Sequence, residues 1–150
     1  MPGVLSPTKI ESLLQNQAIG RIGCISDGKA YVVPINYGYD GKCLYAHSKD
    51  GMKIEIMREN PEVCFEVDQW NEDGSWKSVI LWGTFEEIKT IRAQRAAMKV
   101  FADQMARLIP HHMSMPSHGF VTGNNKETDP FKSVVFRIVV KEKTGRFEER

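Results

Sequence analysis

The sequence predicts a mainly β fold with helices, of the α+β class: a small, closed or nearly closed antiparallel barrel of about six strands with a helix packed on it. Three observations predict this fold. Asp-Gly, a strong hairpin signal, stands between β-rich segments twice, at 27–28 and 40–41. Apolar and polar residues alternate along VCFEVDQW, residues 63–70, as in a half-buried strand. SWKSVILWGTFEEI, residues 75–88, is long enough for a barrel strand.

The first helix is predicted at residues 6–16, SPTKIESLLQN. Ser6 is a favourable N-cap, Pro7 suits the first helical position, and apolar residues recur at helical spacing. The two Asp-Gly turns then divide residues 18–48 into three strands, which we expect to pair as an antiparallel meander. A short helix, GMKIEIMREN at 51–60, follows and is stopped by the next residue, a proline.

In the long strand of the second half, Gly83 is predicted to mark a bend or a bulge. A 3.6-residue apolar period predicts a further helix over residues 91–109. The turn-rich segment 111–130 has no period and is expected to be a loop, and FKSVVFRIVVKEKTG, residues 131–145, is expected to be the last strand. Because no repeat or linker composition interrupts the chain, we expect one domain over residues 1–150.

Composition limits the classes of function. The 20 basic and 19 acidic residues give a formal net charge of +1, so no strong field favours nucleic acid or an anionic membrane. The three cysteines have no C-x-x-C spacing and are expected to be reduced packing residues. The sequence lacks a signal-peptide pattern and any apolar run long enough to cross a bilayer. We therefore expect a cytoplasmic protein without nucleic-acid or membrane partners.

The segment YAHSKDGMKIEIM, residues 45–57, places a hydroxyl, a glycine turn, a helix start and an ammonium close together. These groups hold anions, and phosphate above all. The candidate ligands are the hydroxyl of Ser48, the ammonium of Lys53 and the backbone N–H groups around Gly51 and Met52. Without further context, the same residues are more often an ordinary solvated helix start.

Longer motifs supply that context. P-x-N-[YF] at 34–37, Y-x-H-S at 45–48 and G-x-K at 51–53 follow one another at spacings that resemble those of the FMN-binding split-barrel flavoproteins. The resemblance covers residues 14–91 in detail and extends more loosely to residue 145. It is strongest to the pyridoxamine 5′-phosphate oxidase-like and nitroimidazole-resistance branch. It implies an antiparallel split β-barrel that forms a homodimer, with FMN in two interface clefts lined by both chains.

The resemblance also implies the cofactor contacts. Residues 48–53 would bind the FMN phosphate, the strand at 34–37 would run along the polar edge of the isoalloxazine ring, and two tryptophans would pack on the ring or the ribityl chain, Trp76 from the partner chain. Each residue also has a purely structural interpretation, as strand edge, strand end or barrel core. The predicted cofactor-binding residues are Pro34, Ile35, Asn36, Tyr37, His47, Ser48, Gly51, Met52, Lys53, Trp76 and Trp82, with Arg21 and Lys77 as further candidate cations.

The function that the resemblance implies is an FMN-dependent oxidoreductase, flavin reductase or nitroreductase-like, with no obvious catalytic acid or base. A true pyridoxamine 5′-phosphate oxidase is disfavoured, because the chain end KTGRFEER departs from the basic C-terminal segment of those enzymes. Three alternatives remain open: a haem-binding or haem-degrading protein, a non-catalytic flavin-binding module, and a deazaflavin in place of FMN.

A second candidate site is HHMSMPSH, residues 111–118, since imidazole and thioether groups bind copper or zinc. Adjacent histidines share one ion only with difficulty, and no carboxylate or thiolate stands at ligand spacing. We therefore predict no metal site. We expect residues 111–125 to form a mobile cover near the flavin cleft.

Overall fold

The computed structural model describes residues 2–109 and 133–150. None of the helices within these residues is both long and apolar enough to span a bilayer. All three begin and end close to their predicted bounds, and Ser6 caps the first by accepting a hydrogen bond from the backbone N–H of Lys9. The elements, in chain order, are β1 (Gly3–Val4), α1 (Pro7–Gln15), β2 (Ile19–Ser26), β3 (Lys29–Asn36), β4 (Gly38–Tyr39), β5 (Cys43–Lys49), α2 (Met52–Glu59), β6 (Glu62–Trp70), β7 (Trp76–Glu87), α3 (Ile91–Leu108) and β8 (Ser133–Glu148).

The strands of the described residues form one antiparallel sheet in the order β3-β2-β6-β7-β8-β5-β4, and β1 pairs with β8. The two ends of this order, β3 and β4, are consecutive in the chain and are separated by Tyr37 alone. The chain, and not a strand pair, therefore joins the two ends of the sheet. This arrangement confirms the predicted antiparallel split β-barrel of the α+β class.

The predicted meander over residues 18–48 is wrong. The turn at Asp27-Gly28 joins β2 to β3 as expected, and both residues have the positive φ of a type I′ hairpin. The second Asp-Gly turn joins only the short β4 to β5, and β5 pairs next with β8 and not with β3. The reason is Tyr37, whose ring packs on Phe65 and whose hydroxyl donates to the carbonyl of Leu14 at 2.6 Å. This buried anchor divides the predicted middle strand.

The predicted irregularity at Gly83 is confirmed. The register between β7 and β8 shifts between Trp82 and Gly83, as at a β-bulge. A Cβ atom at Gly83 would lie 2.4 Å from the carbonyl oxygen of Val139, so the close approach of the two strands requires glycine.

The core fills the barrel and continues beneath α3, where Phe101 and Met105 pack over Val135. One buried polar side chain ties α3 to the rest of the molecule. Gln104 accepts a hydrogen bond from the N–H of Tyr39 and donates to the carbonyls of Leu14 and Gln17. Its amide is therefore satisfied, as burial requires. The largest fully buried side chains are Tyr37, Phe65, Phe136, Leu14, Ile22, Leu44, Ile54, Met57, Leu81, Met105, Ile138 and Val67.

Candidate functional site

The predicted anion site lies between the end of β5 and the first turn of α2. Ser48 is buried near the end of β5, and its hydroxyl donates a hydrogen bond to the carbonyl of Lys49 at 2.7 Å. Gly51 is the N-cap of α2 and makes no side-chain cap. The first N–H groups of α2 are therefore left without a capping side chain, and they carry the positive end of the helix dipole.

Lys53 brings a cation to this helix start. Its side chain lies in the first turn of α2, and partial burial lowers the pKa of its ammonium, while the nearby Cys24 raises it by a smaller amount. No carboxylate of the described residues contributes to this shift. The ammonium has therefore lost part of its hydration without gaining an acidic partner, which is the condition under which an added anion binds most favourably.

Cys24 lies on β2, the strand against which α2 packs. Its thiol is buried and donates a weak hydrogen bond to the carbonyl of Tyr31 on β3, at 3.8 Å. Burial is the main cause that raises the pKa of this thiol. Cys24 is therefore a protonated packing residue and not a nucleophile, and the helix that carries Lys53 packs against the strand that carries Cys24.

The predicted ring-edge residues lie further along β3. Pro34 pairs with Arg21, Ile35 pairs with Gly20, and Asn36 donates from Nδ2 to the carbonyl of Ala18 at 3.1 Å. No described strand pairs with the other edge of β3. That edge is therefore a place where a ligand or another chain can pair. Pro34 is compatible with this position, because no described strand needs an N–H from that edge of β3.

Tyr37 and His47 are buried within the single chain. The side chain of Tyr37 belongs to the core, so only its backbone is left for a ligand, and burial raises the pKa of its hydroxyl. His47 lies beneath α3, with its ring edge-on to Phe101 at 5.0 Å and its Nδ1 3.4 Å from Oγ of Ser133. Successive residues of a strand face opposite sides, so His47 points away from Ser48. A contact between His47 and a cofactor stays a prediction.

The two tryptophans and the further candidate cations, Arg21 and Lys77, lie on other parts of the structure than the segment 48–53. Trp82 is exposed on the outer face of the sheet, and Trp76 packs against the neighbouring Trp70 with centroids 5.8 Å apart. Arg21 is held by the carboxylates of Glu66 and Asp68 at 3.3 and 3.4 Å, and Lys77 is exposed on β7. The structure thus brings Ser48, Gly51, Met52 and Lys53 together and places the tryptophans on a separate surface.

Sequence reasoning missed an apolar groove on that outer surface. The groove has a volume of about 320 Å³ and runs across β3, β2, β6 and β7. Val32 is 64% exposed and Trp82 is 41% exposed, although both are large and apolar. The signal that could have revealed the groove is β3 itself, KAYVVPIN, which is apolar at positions of both faces. The lining residues are Gly23, Cys24, Ile25, Ala30, Val32, Glu62, Val63, Cys64 and Trp82.

No group of three His, Cys, Asp or Glu side chains suited to a metal ion occurs within residues 2–109 and 133–150. The histidine-rich segment 111–118 and the predicted cover at 111–125 lie outside the described residues, so both stay predictions.

Comparison with other proteins supports the fold. The structure of an FAD-binding protein from Mesorhizobium loti matches with a TM-score of 0.75 and 29% identity, over 99% of both chains. A protein from Bacteroides thetaiotaomicron, described as a candidate 5-nitroimidazole antibiotic resistance protein, matches with a TM-score of 0.74 and 23% identity, over 99% of this chain and 92% of its own. An uncharacterized protein of Rhizobium meliloti (strain 1021) is 33% identical over 85 residues; the match spans 57% of this chain and only 56% of the relative.

The family assignment rests on a longer match. The sequence profile of the pyridoxamine 5′-phosphate oxidase family matches residues 6–147, almost the whole chain. The predicted resemblance to these split-barrel proteins is thereby confirmed. The chain belongs to the pyridoxamine 5′-phosphate oxidase family.

Proposed function

We propose that the protein binds FMN at the interface of a homodimer and acts as an FMN-dependent oxidoreductase of the flavin reductase or nitroreductase type. The observation that carries this proposal is the geometry of the start of α2: the helix lacks a side-chain cap there, and Lys53 lies partly buried in its first turn. When bound, the flavin supplies the electron-accepting ring, and the protein supplies the binding groups.

The phosphate of the cofactor would bind at the segment 48–53. Lys53 would provide a charge-assisted contact, and the backbone at Gly51 and Met52 the N–H groups of the helix start. The hydroxyl of Ser48 would turn from the carbonyl of Lys49 to donate to the phosphate. A phosphate would replace the hydration that Lys53 has lost and would not compete with a salt bridge already present. This set of donors distinguishes a phosphorylated flavin from riboflavin.

The isoalloxazine ring would lie along the edge of β3 with which no described strand pairs. The helix that carries Lys53 packs against β2, where the thiol of Cys24 donates a weak hydrogen bond to the carbonyl of Tyr31 on β3. The strand from Tyr31 to Asn36 is about 17 Å long at the usual rise per residue. An elongated ligand bound at the start of α2 can therefore extend along this edge of β3 as far as Pro34, Ile35 and Asn36. A few polar contacts at the ring edge would orient the flavin and tune its electronics.

The partner in the dimer would cover the outer face of the sheet. Val32, Ile25, Ile80 and Trp82 are apolar and exposed there, and a contiguous exposed apolar surface is typical of a protein interface. In a two-fold dimer the same surface of both protomers forms the interface, so each of these residues is buried in both chains. Trp82 would then pack near the cofactor, and Trp76 would approach it from the partner chain.

One related protein supports a flavin but leaves its form open. The Mesorhizobium loti protein is an FAD-binding protein, and it is 29% identical to this chain over nearly its full length. FAD contains the same ring, ribityl chain and first phosphate as FMN. The binding measurements must therefore compare FMN, FAD and riboflavin.

Lys53→Met tests the phosphate contact. We expect the parent to bind FMN more tightly than riboflavin, and the variant to lose about 1.5–3 kcal/mol of FMN binding, the usual contribution of a charge-assisted contact. That loss corresponds to a dissociation constant roughly 10- to 100-fold higher. Riboflavin affinity should stay within about twofold, because riboflavin lacks the phosphate.

Titration of flavin fluorescence measures these constants, and Lys42→Met, an exposed lysine just before β5 and outside the segment 48–53, is the control. Equal affinity of the parent for FMN and riboflavin would contradict the proposal. Absorption of protein purified without added cofactor separates flavin bands from the Soret band of haem. Turnover of a nitro compound with NADH or NADPH separates an enzyme from a non-catalytic flavin-binding module.

A further inference from the structure

Arg58, in the last turn of α2, connects the proposed phosphate segment to the end of β7. Its Nη1 lies 3.2 and 3.1 Å from the two carboxylate oxygens of Asp50, and its Nε donates to Glu87 at 2.8 Å. Side chains on a helix lean toward its N-terminus, which is how Arg58 reaches back to a residue that precedes the helix. The two carboxylates raise the pKa of the guanidinium, so it is charged at every relevant pH.

The position of Asp50 makes this contact important for an anion site. Asp50 immediately precedes Gly51, the N-cap of α2, and stands two residues after Ser48. A carboxylate at this place is attracted to the same uncapped N–H groups that would bind a phosphate. It would also repel the phosphate directly, because like charges a few ångströms apart interact unfavourably. Without a partner, Asp50 would oppose the proposed ligand.

We propose that Arg58 is a positioning residue for the flavin phosphate: it neutralises Asp50 and holds that carboxylate away from the helix start. This inference rests on the proposed function, because it assumes that the phosphate binds at residues 48–53. It assigns a role to a side chain that does not itself touch the cofactor.

Glu87 explains why the guanidinium stays in this orientation. The ends of β7 and β5 both pair with β8. Glu87 on β7 and Ala46 on β5 both lie opposite Phe136 of β8, one on each side of it. Both strands therefore reach the same rim of the barrel, where α2 begins. With Glu87 on one side and Asp50 on the other, Arg58 is fixed between two elements and Asp50 is held toward β7.

A role in overall stability is a poor alternative explanation. The side chains of Arg58 and Asp50 are 40% and 52% exposed, and ion pairs this exposed contribute little to the folding free energy. The chain offers a matched pair for comparison: Arg137 bonds Glu86 through Nε at 2.8 Å and through Nη2 at 2.7 Å, also at an exposed position.

The test compares the parent, Arg58→Met, the double variant Arg58→Met/Asp50→Ala, and the control Arg137→Met. For each, flavin fluorescence gives the dissociation constants of FMN and riboflavin, and thermal unfolding of the cofactor-free protein gives its stability. We expect Arg58→Met to weaken FMN binding about tenfold, the effect of one nearby unmasked charge, and to leave riboflavin binding within about twofold.

Removing Asp50 as well should restore FMN binding to within about threefold of the parent, because the opposing carboxylate is gone. Arg137→Met should match the parent in both affinities. The inference is overturned if Arg58→Met keeps the preference of the parent for FMN over riboflavin, or if Asp50→Ala does not restore the lost affinity. A parent that binds FMN and riboflavin equally well would instead refute the phosphate site itself, so the two failures are distinguishable.

Discussion

The inner and outer faces of β2, β3, β6 and β7 are built from alternate residues of the same strands, yet both carry large apolar side chains. On the inner face, Ile22, Phe65 and Leu81 are fully buried in the barrel core. On the outer face, Val32 and Trp82 are apolar and largely open to solvent. An antiparallel sheet with one solvated face normally has polar residues there. These exposed apolar side chains are the reason we propose that a partner chain covers the outer face.

The outer face is not uniformly apolar. Beside the groove, Arg21 bonds the carboxylates of Glu66 and Asp68, and the hydroxyl of Ser78 donates to Glu66 at 3.1 Å. Protein interfaces commonly combine an apolar centre with hydrogen-bonded polar groups around it. The inner face stabilises the single chain, whereas the outer face has the composition of a surface between two chains.

The largest effect should come from the inner face. Phe65→Ala removes a fully buried ring that packs on Tyr37, and we expect a loss of about 3–5 kcal/mol in the free energy of unfolding. Trp70→Ala, on the exposed outer side of the same strand, is the control and should cost roughly 1 kcal/mol or less. Urea unfolding of both variants measures the contrast. Equal losses of unfolding free energy in the two variants would contradict the view that only the inner face stabilises the single chain.

A charge on the outer face should separate the chains without unfolding them. Val32→Arg is expected to raise the dissociation constant of the dimer about 100-fold or more, because a two-fold interface would bury two unpaired charges. FMN should be released in parallel, since cofactor and dimer stabilise each other. Sedimentation equilibrium measures the change, with Val32→Ile as the control. A parent that is monomeric with bound FMN would contradict the proposed dimer. A variant that remains a dimer would show that another surface is the interface.

The smallest expected effect is a pH dependence of the free energy of unfolding that arises from Glu66. Burial, followed by the neighbouring Asp68, raises the pKa of Glu66 above its ordinary value of 4.5. Between 4.5 and the raised value, the folded chain holds more protons than the unfolded chain, so the free energy of unfolding falls as pH rises through this window. The change should be below about 1 kcal/mol, because the group is partly exposed.

Glu66→Gln should flatten this pH dependence, and Glu72→Gln, in the exposed turn between β6 and β7, should leave it as in the parent. Urea unfolding at a series of pH values across the window measures both. A slope that survives in Glu66→Gln would assign the pH dependence to a different group.

Much of the fold was predictable because its signals are local. Ser6 and Pro7 specified the start of α1, the Asp27-Gly28 dipeptide specified its hairpin, and Gly83 marked the bulge in β7. Each signal acts over a few residues, through backbone φ preferences or a single capping bond. The order of motifs along residues 34–53 likewise indicated the family, and the match over residues 6–147 confirms it.

Within the candidate site, the sequence alone determined which residues stand near the start of α2, because Ser48, Gly51 and Lys53 are neighbours in the chain. Only the tertiary structure decided that Tyr37 is a buried anchor between β3 and β4, and that the outer face carries exposed apolar side chains. It also decided that Arg58 bonds both Asp50, 8 positions earlier, and Glu87, 29 positions later. These features depend on contacts between distant parts of the chain. No local preference encodes such contacts, because their energy exists only once the barrel has brought the partners together.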